Sequence, residues 1–481
     1  MILLVILLYF GLLLLVARLA GKGSNDSFFR GGRRSPWPVV AFGMVGASIS
    51  GVTFVSVPGM IRGIDMTYLQ MCMGFIVGYL VVAFVLMPLY YRHNLTSIYS
   101  YLGTRFGNVS RKTGAWFFLL SKMAGAAAKL YLACLILQSL PLVSFAGETR
   151  VLQGDGAFVV IVLVTLLFIW LYTRRSGIQA LVWTDFVQTA CLLGALVLIL
   201  VRAADMLDMN AGEALSAVWH DPHARIFEFA DWTSRQHFLK QFLSGVFVVI
   251  VMTGLDQDMM QKNLTCRTLA DSQKDLCSYG VLFLPVNFLF LALGILLLML
   301  YTQLGIDVPT RGDDLLPTLV IGGQMGQTAL VLFAIGIIAS AFSSADSALT
   351  ALTTSFCIDI LGMDNRGGTT LRKRVHLGMV LAFLFAVLTF KAFGSDSVID
   401  AVYIIAGYTY GPLLGLFAFG MTTRLMPRER LVPLVAIASP LACYAIDRLA
   451  FNLSGYRFGY ELLMLNGLLT YTLLLCISRR R

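Results

Sequence analysis

The chain has 481 residues, of which 58% are hydrophobic and 13% are charged, and its formal net charge is +10. A water-soluble domain of this size could not present so apolar a surface to solvent, so the composition excludes a soluble globular protein. The eight cysteines form no CxxC or Cys/His cluster, and a metal centre or a disulfide framework is therefore not indicated.

Apolar runs of roughly 18 to 25 residues recur along the whole chain, and each is long enough for a helix to cross about 30 Å of hydrocarbon. We predict an all-α polytopic membrane protein with about thirteen transmembrane helices. The predicted spans are 1–20, 38–60, 66–91, 114–145, 156–173, 177–202, 238–258, 279–302, 327–361, 375–394, 397–423, 430–449 and 460–478. The longest loop, 203–237, is expected to form a short surface helix.

Basic residues are distributed unequally between the two sides of these spans. No Lys or Arg precedes the first span, whereas Arg18, Lys22, Arg30, Arg33 and Arg34 follow it. Because loops rich in Lys and Arg stay in the cytoplasm, the first run indicates a retained span, with the N terminus outside and the C terminus cytoplasmic. The expected location is a plasma or bacterial inner membrane, and the positive charge reports topology rather than nucleic-acid binding.

Two spans, which lie five spans apart, contain residues that interrupt helices. Paired interruptions at equivalent places in two five-helix halves indicate an inverted-repeat transporter, in which unwound backbone surrounds a wet, ion-holding cavity. The alternative is that these glycines only allow helices to pack closely, and the interruptions alone do not decide between the two. They are Gly51, Pro58 and Gly59 in span 38–60, and Gly245, Thr253 and Gly254 in span 238–258.

The ninth span carries a row of hydroxyl groups. Ser340, Ser343, Ser344 and Ser347 share one helical face. Sodium is a hard cation that takes oxygen ligands, so these hydroxyls and the carbonyls of an unwound neighbour could complete a site. The alternative is a small-residue packing face. Asp346 favours the ion site, because an ionisable group within a span needs a partner or a cation.

A second carboxylate, Asp185, lies within the sixth span, about 12 Å from its cytoplasmic start. We expect it to face the interior of the helix bundle. Its partner could be a cation, or Lys122 or Lys129 of the fourth span in a structural ion pair. A further polar cluster is expected to meet cytoplasmic solvent at the end of the seventh span: Asp256, Gln257, Asp258 and Gln261.

Six segments carry a resemblance through their order and spacing rather than through any single motif. They are ASISGVTFVSVPG at 47–59, SIYSYLGTRFG at 97–107, GIQALVWTDFVQ at 177–188, GLDQDMMQKNL at 254–264, SSADSALTALTTSFCIDI at 343–360 and GYTYGPLLGLFAFG at 407–420. Together they resemble the sodium:solute symporter family over roughly residues 38–425. The family includes carriers of sugars, proline, sialic acid, iodide and monocarboxylates.

The resemblance implies a LeuT-like 5+5 inverted repeat in a single transmembrane domain, with one extra N-terminal helix and two extra C-terminal helices. The expected division of the domain 1–481 is 1–20 for the extra N-terminal helix, 38–202 and 238–423 for the two repeats, and 430–478 for the two C-terminal helices.

The resemblance also implies a sodium site between the broken second span and the ninth span. Its ligands would be the carbonyl oxygens of Gly46, Ile49 and Ser340 and the hydroxyls of Ser343 and Ser344.

A possible second cation would lie at Asp185, Asp346 and Ser347. Asp346 departs from the family pattern, which has a serine at this position. Two nearby carboxylates can share a proton, so two sodium ions, or one sodium and one proton, remain open.

The solute is expected near the bilayer midplane, beside the two breaks. Val52, Val249 and Met252 disfavour a sugar, because they offer neither hydrogen bonds nor stacking. The stretch SGVTFVSVPG is closer to the iodide, vitamin and monocarboxylate branch, and exposed amides at a broken helix could hold a small anion. The implied solute-binding residues are Val52, Thr53, Phe54, Val249, Met252 and Thr253.

We therefore expect a secondary active transporter that couples uptake of a small solute, such as a small organic anion or monocarboxylate, to sodium by alternating access. The alternatives are a proton-coupled symporter, a non-transporting sensor of the same fold and, less favoured, a cation channel. An enzyme is not expected, because the sequence has no HExxH motif and no nucleophile elbow. The expected partners are the solute, the lipid bilayer and sodium as the coupling ion, without a cofactor; the oligomeric state is open, and a monomer is compatible.

Overall fold

The chain is almost entirely helical in a computed structural model, which describes residues 2–20, 24–49, 51–139, 143–145, 148–150, 154–363, 368–393, 398–456 and 458–479. The helices of the first half are α1 (Ile2–Ala20), α2 (Asn25–Arg30), α3 (Trp37–Ser48), α4 (Gly51–Ile64), α5 (Tyr68–Val81), α6 (Met87–Arg92), α7 (Ser100–Arg105), α8 (Asn108–Ser139), α9 (Asp155–Ser176) and α10 (Ile178–Met206). Those of the second half are α11 (Ala211–His220), α12 (Phe238–Val249), α13 (Gln257–Asn263), α14 (Leu269–Leu304), α15 (Leu315–Ile321), α16 (Gly326–Ser355), α17 (Thr369–Phe393), α18 (Val398–Thr422), α19 (Val432–Ser454) and α20 (Leu462–Cys476).

Shorter elements join these helices. Two antiparallel pairs are formed by β1 (Val143–Phe145) with β2 (Glu148–Arg150) and by β3 (Met426–Pro427) with β4 (Ser478–Arg479). The π-helical turns are Val82–Leu86, Ile250–Gly254 and Phe356–Ile360. The 3-10 turns are Gly31–Arg33, Asp65–Thr67, Pro222–Ala224, Gly312–Asp314 and Glu429–Leu431. The expected surface helix of loop 203–237 is present as α11.

Nine helical segments of the described chain are long and apolar enough to cross a membrane, and the number rises to 11 if each of two bent pairs is one span. The all-α polytopic architecture is thus confirmed. The helices α3 and α20 are apolar but have only 12 and 15 residues, fewer than the roughly 20 that a complete span needs. The count of about thirteen spans and the 5+5 repeat stay predictions.

The centre of the bundle is built around α10, which packs against α3 on one side and α16 on another. The helix α16 also packs against α8, while α14 packs against α3, α4 and α5. The interruption between α3 and α4 therefore lies inside the bundle, surrounded by helices. The backbone N–H and C=O groups that the break leaves free need protein, water or an ion as partners there, because lipid supplies none.

The first break falls immediately before Gly51, because α3 ends at Ser48 and α4 begins at Gly51. Pro58 and Gly59, which were also predicted to interrupt the span, lie within the continuous helix α4. A Cβ atom at Gly59 would lie 2.2 Å from the carbonyl oxygen of Gly312. That glycine therefore serves close packing of the backbone, as the alternative interpretation proposed.

The second break follows the π-helical turn Ile250–Gly254, and the helical segments on its two sides make an angle of 71°. Thr253 and Gly254 thus lie at the break, as predicted. Gly245 does not: it lies within α12, where a Cβ atom would come within 2.2 Å of the Met71 carbonyl oxygen. Each broken span thus contains an interruption and at least one glycine that allows close packing.

Candidate ion and solute site

The end of α3 supplies backbone carbonyls to the interior. Ile49 is extended (φ −79°, ψ 92°), and its N–H donates to the Val45 carbonyl at 3.0 Å. Since the last carbonyls of a helix have no intrahelical donors, the end of α3, where Gly46 and Ile49 lie, can present oxygen atoms to an ion. A Cβ atom at Gly51 would lie 3.3 Å from Ser340 Oγ, so α16 passes directly beside the break.

The hydroxyls of α16 differ in their partners. Ser340 Oγ donates to the Ile337 carbonyl at 3.0 Å, and Ser343 Oγ donates to Asp185 Oδ1 at 2.8 Å. Ser344 is 8% exposed, and its Oγ has no hydrogen-bond partner among the described residues. Ser343 Oγ acts as a donor to Asp185, and Ser344 Oγ has no partner among the described residues. The lone pairs of the Ser343 and Ser344 hydroxyl oxygens therefore remain available to a cation.

The partner of Asp185 is Lys262, whose Nζ lies 2.7 Å from Asp185 Oδ2. Neither of the possible structural partners, Lys122 and Lys129, pairs with Asp185; Lys262, which follows the predicted span 238–258, does so instead. After the 71° bend, α13 packs against α3 and α16, which places Lys262 inside the protein. Gln261 Nε2 donates to the Phe29 carbonyl of α2 at 2.9 Å, so α2 covers the same segment.

Asp346 is fully buried and has its own partner: its Oδ2 accepts a hydrogen bond from the Tyr172 hydroxyl. In the described part of the chain, Asp346 Oδ1 and Ser347 Oγ have no hydrogen-bond partner. Asp185 and Asp346 thus bind different groups, and the second cation at Asp185, Asp346 and Ser347 stays a prediction.

An internal cavity of about 140 Å³ lies beside both breaks. Four residues expected to bind solute line it, and Ser344 lines it as well, so one hydroxyl of the serine row borders this cavity. The four residues are Thr53, Val249, Met252 and Thr253. The remaining wall is largely aromatic and aliphatic, with Tyr68, Phe75, Tyr79, Val248, Tyr279 and Phe283.

Two of the expected solute residues require separate comment. Phe54 has no exposed surface and packs against the rings of Phe290 and Phe333, with centroids 5.5 and 6.0 Å away. It is not among the cavity-lining residues, and its large apolar ring fills the core behind the break. The side chain of Val52 lies outside the described residues.

Two lysines and two aspartates that were not expected at the solute site also line the cavity. Lys122 Nζ lies 3.1 Å from Asp256 Oδ2 and 2.7 Å from Asp258 Oδ2, and Lys129 lies on the same helix. The acids were expected to meet cytoplasmic solvent but are buried, because α13 folds back into the bundle. The spacing of Lys122, Gly125, Ala126 and Lys129 along one face of α8 was the signal that could have revealed this wall.

Known proteins resemble this chain along most of its length. The family model described as the sodium:solute symporter family matches residues 28–428. The human sodium/iodide cotransporter is 27% identical over 417 residues, which are 83% of this chain and 62% of that protein. The sodium/sialic acid symporter NanT of Aliivibrio fischeri is 26% identical over 91% of this chain and 85% of its own length.

A solved structure supports the fold in the same way. A sodium-coupled sialic acid symporter, in a substrate-bound outward-open state, aligns with 100% of this chain and 99% of its own at a TM-score of 0.81 and 22% identity. The present chain spans only 62% of the length of the human iodide cotransporter. The matched family and these relatives are transporters rather than enzymes.

Proposed function

The chain belongs to the sodium:solute symporter family, and on this premise we propose that it is a secondary active transporter that couples sodium entry to the uptake of a small solute by alternating access. The observation that carries the proposal is Ser344: its buried hydroxyl has no partner among the described residues, borders the cavity and lies on the helix that passes the α3–α4 break. A dehydrated cation would satisfy that oxygen.

The proposed sodium ligands combine the two elements that meet at the break. The carbonyls of Gly46 and Ile49 come from the end of α3, where intrahelical donors are lacking. The carbonyl of Ser340 and the hydroxyls of Ser343 and Ser344 come from α16. All are hard oxygen donors, which suits sodium. Sodium is the transported coupling ion here, and no cofactor is proposed.

Sodium at this position would link the broken span to α16. Binding would hold the end of α3 against α16 and thereby shape the cavity wall that Ser344 and Thr53 share. A ligand shifts a conformational equilibrium only by its differential affinity for the two states, and a site divided between two moving elements provides that difference. Rocking of the bundle would then release sodium and solute on the other side.

A second coupling cation, either sodium or a proton, is proposed at Asp185, Asp346 and Ser347. The unpartnered Asp346 Oδ1 and Ser347 Oγ support it, because a buried carboxylate oxygen without a donor calls for a cation. Lys262 pairs with Asp185 and thus already balances part of the negative charge of the two carboxylates.

For the solute we propose a small organic anion or monocarboxylate. Two of the relatives named above carry iodide and sialic acid, which are both anions. The cavity wall is mainly apolar and carries two lysines and two aspartates; both aspartates pair with Lys122, which leaves Lys129 for an anionic solute. A sugar is less suitable, because Val249 and Met252 offer it no hydrogen bonds.

The finer architecture is proposed on the same basis. The chain is a multi-pass membrane protein, and we propose the LeuT-like 5+5 repeat with about thirteen spans. The breaks in the α3–α4 and α12–α13 segments support it, since they fall in the second and seventh predicted spans. We also propose that the N terminus lies outside, which the distribution of basic residues supports, and that the chain lies in a plasma or bacterial inner membrane.

The test is uptake of radiolabelled carboxylates, amino acids and sugars into proteoliposomes, with and without an inward sodium gradient. We expect uptake to require sodium and to be lost in Ser343→Ala. Ser355→Ala is the matched control, because Ser355 lies on the same helix but its hydroxyl donates to Asp359 at 3.0 Å. Uptake driven by a proton gradient and unaffected by sodium would contradict the proposed coupling.

A further inference from the structure

The charged groups of the cavity are not equivalent. Asp256 and Asp258 both lie within ion-pair distance of Lys122, and the Tyr410 hydroxyl donates to Asp256. Lys129 lies about two turns, or about 10 Å, further along α8. Within the described chain Lys129 forms no hydrogen bond or ion pair, whereas both aspartates of the cavity lie within ion-pair distance of Lys122.

An ammonium group in this position is energetically unfavourable without a direct partner. Lys129 lies in a helix that is long and apolar enough to cross a membrane, and it lines the cavity. Removing a charge from water within a membrane span is costly unless the charge meets a partner. Such residues mark substrate pathways when they face an internal cavity. A negatively charged group of the solute would supply the missing partner.

The space beside α8 is suited to receive that anion. Gly125 and Ala126 separate Lys122 from Lys129 on the cavity wall. A Cβ atom at Gly125 would meet no other atom within 4 Å, so the helix face between the lysines is open. Small residues here leave room for a bound group, whereas large side chains would fill it.

The opposite walls determine what the rest of the ligand can be. They are formed mainly by aromatic and aliphatic side chains, among them Phe75, Val249, Met252 and Phe283. These groups stabilise an apolar body through burial of its surface. The cavity of about 140 Å³ limits that body to a small molecule.

We infer that Lys129 binds the carboxylate of the transported solute, and that the solute is a small carboxylate with an apolar or aromatic body. This inference rests on the proposed function, which it makes specific by assigning a recognition residue. Lys122 does not take this role, because Asp256 and Asp258 hold its ammonium group.

The test is thermal unfolding of the full chain in lipid nanodiscs, in sodium or potassium buffer. The probes are matched pairs of carboxylates and their amides: butanoate with butanamide, phenylacetate with phenylacetamide, and nicotinate with nicotinamide. The variants are Lys129→Met, which removes the charge, and Lys129→Arg, which keeps it. Lys112→Met is the control, since Lys112 is an exposed lysine near the start of α8.

In sodium, at least one carboxylate should raise the melting temperature in a saturable way, and its amide should not. Lys129→Met should weaken the apparent affinity for that carboxylate about 10- to 100-fold, as expected for loss of a hydrogen bond between charged groups. Lys129→Arg and Lys112→Met should retain it. The inference is overturned if amides stabilise as well as carboxylates, if Lys129→Met responds like the parent, or if sodium raises the melting temperature but no carboxylate adds to it.

Failure of the proposed function would look different. Carboxylates would then stabilise the chain through Lys129 equally in sodium and in potassium, with Ser343→Ala unchanged from the parent. That result would retain the anion site and reject sodium coupling.

Discussion

The ammonium group of Lys262 lies 2.7 Å from Asp185 Oδ2, and the two side chains are 2% and 1% exposed. This ion pair joins α13, just beyond the second break, to α10 at the centre of the bundle. Asp185 in turn accepts a hydrogen bond from Ser343, one of the proposed sodium ligands. The break, the central helix and the proposed ion site are thus connected by direct contacts.

Removing one member of this pair should be far more harmful than removing both. We expect Lys262→Met to destabilise the protein by about 3–5 kcal/mol, because it leaves the buried carboxylate of Asp185 unpaired. The double variant Lys262→Met with Asp185→Asn should recover most of that loss, since no uncompensated charge remains. Thermal unfolding in detergent measures both, with the exposed Lys274→Met as the control. Equal losses in the single and double variants would contradict this account of the pair.

The Ser344 hydroxyl should affect the affinity for sodium more than the free energy of unfolding of the protein. We expect Ser344→Ala to raise the sodium concentration for half-maximal transport by about tenfold or more, because a cation ligand is lost. Its effect on unfolding in the absence of sodium should be small, since the hydroxyl has no partner among the described residues. Sodium titrations of uptake and of melting temperature make the comparison. An unchanged sodium dependence would remove Ser344 from the site.

Gly46 should tolerate no larger residue. A Cβ atom there would lie 2.0 Å from Thr189 Oγ1 and 2.8 Å from Thr189 Cβ, so Gly46→Ala forces α3 away from α10. We expect a loss of about 1–3 kcal/mol or more, as for overpacking in a core, together with loss of sodium-dependent uptake. Gly194→Ala on α10 is the matched control, because a Cβ atom there meets nothing within 4 Å. A stable and active Gly46→Ala variant would show that the contact between these helices is looser than described.

Phe54 and Met252 should separate core packing from solute binding. Phe54→Ala removes a ring packed between Phe290 and Phe333 and should cost about 3–5 kcal/mol of stability. Met252 lines the cavity, so Met252→Ala should mainly change solute affinity and selectivity. Thermal unfolding and the KM for uptake distinguish the two. If Phe54→Ala left stability intact but altered KM, Phe54 would belong to the solute site after all.

Hydropathy and spacing indicated the membrane character, two spans with residues that interrupt helices, the row of serines on α16 and a resemblance to the family. These features depend on local properties: the length of an apolar run, the period of a helix, and the residues that interrupt it. The sequence also identified Asp185 and Asp346 as buried carboxylates, because an ionisable group within a span has few acceptable environments.

Tertiary structure decided which groups meet. In the folded chain Asp185 pairs with Lys262 instead of Lys122. The interruptions lie at Gly51 and Gly254, whereas other glycines of the same spans allow close packing. The side chain of Phe54 lies in the core. Helical periodicity specifies which residues share a face but not which face of another helix lies opposite. The 71° bend after the second break carries Lys262 into the bundle, although Lys262 lies beyond the end of the predicted span 238–258.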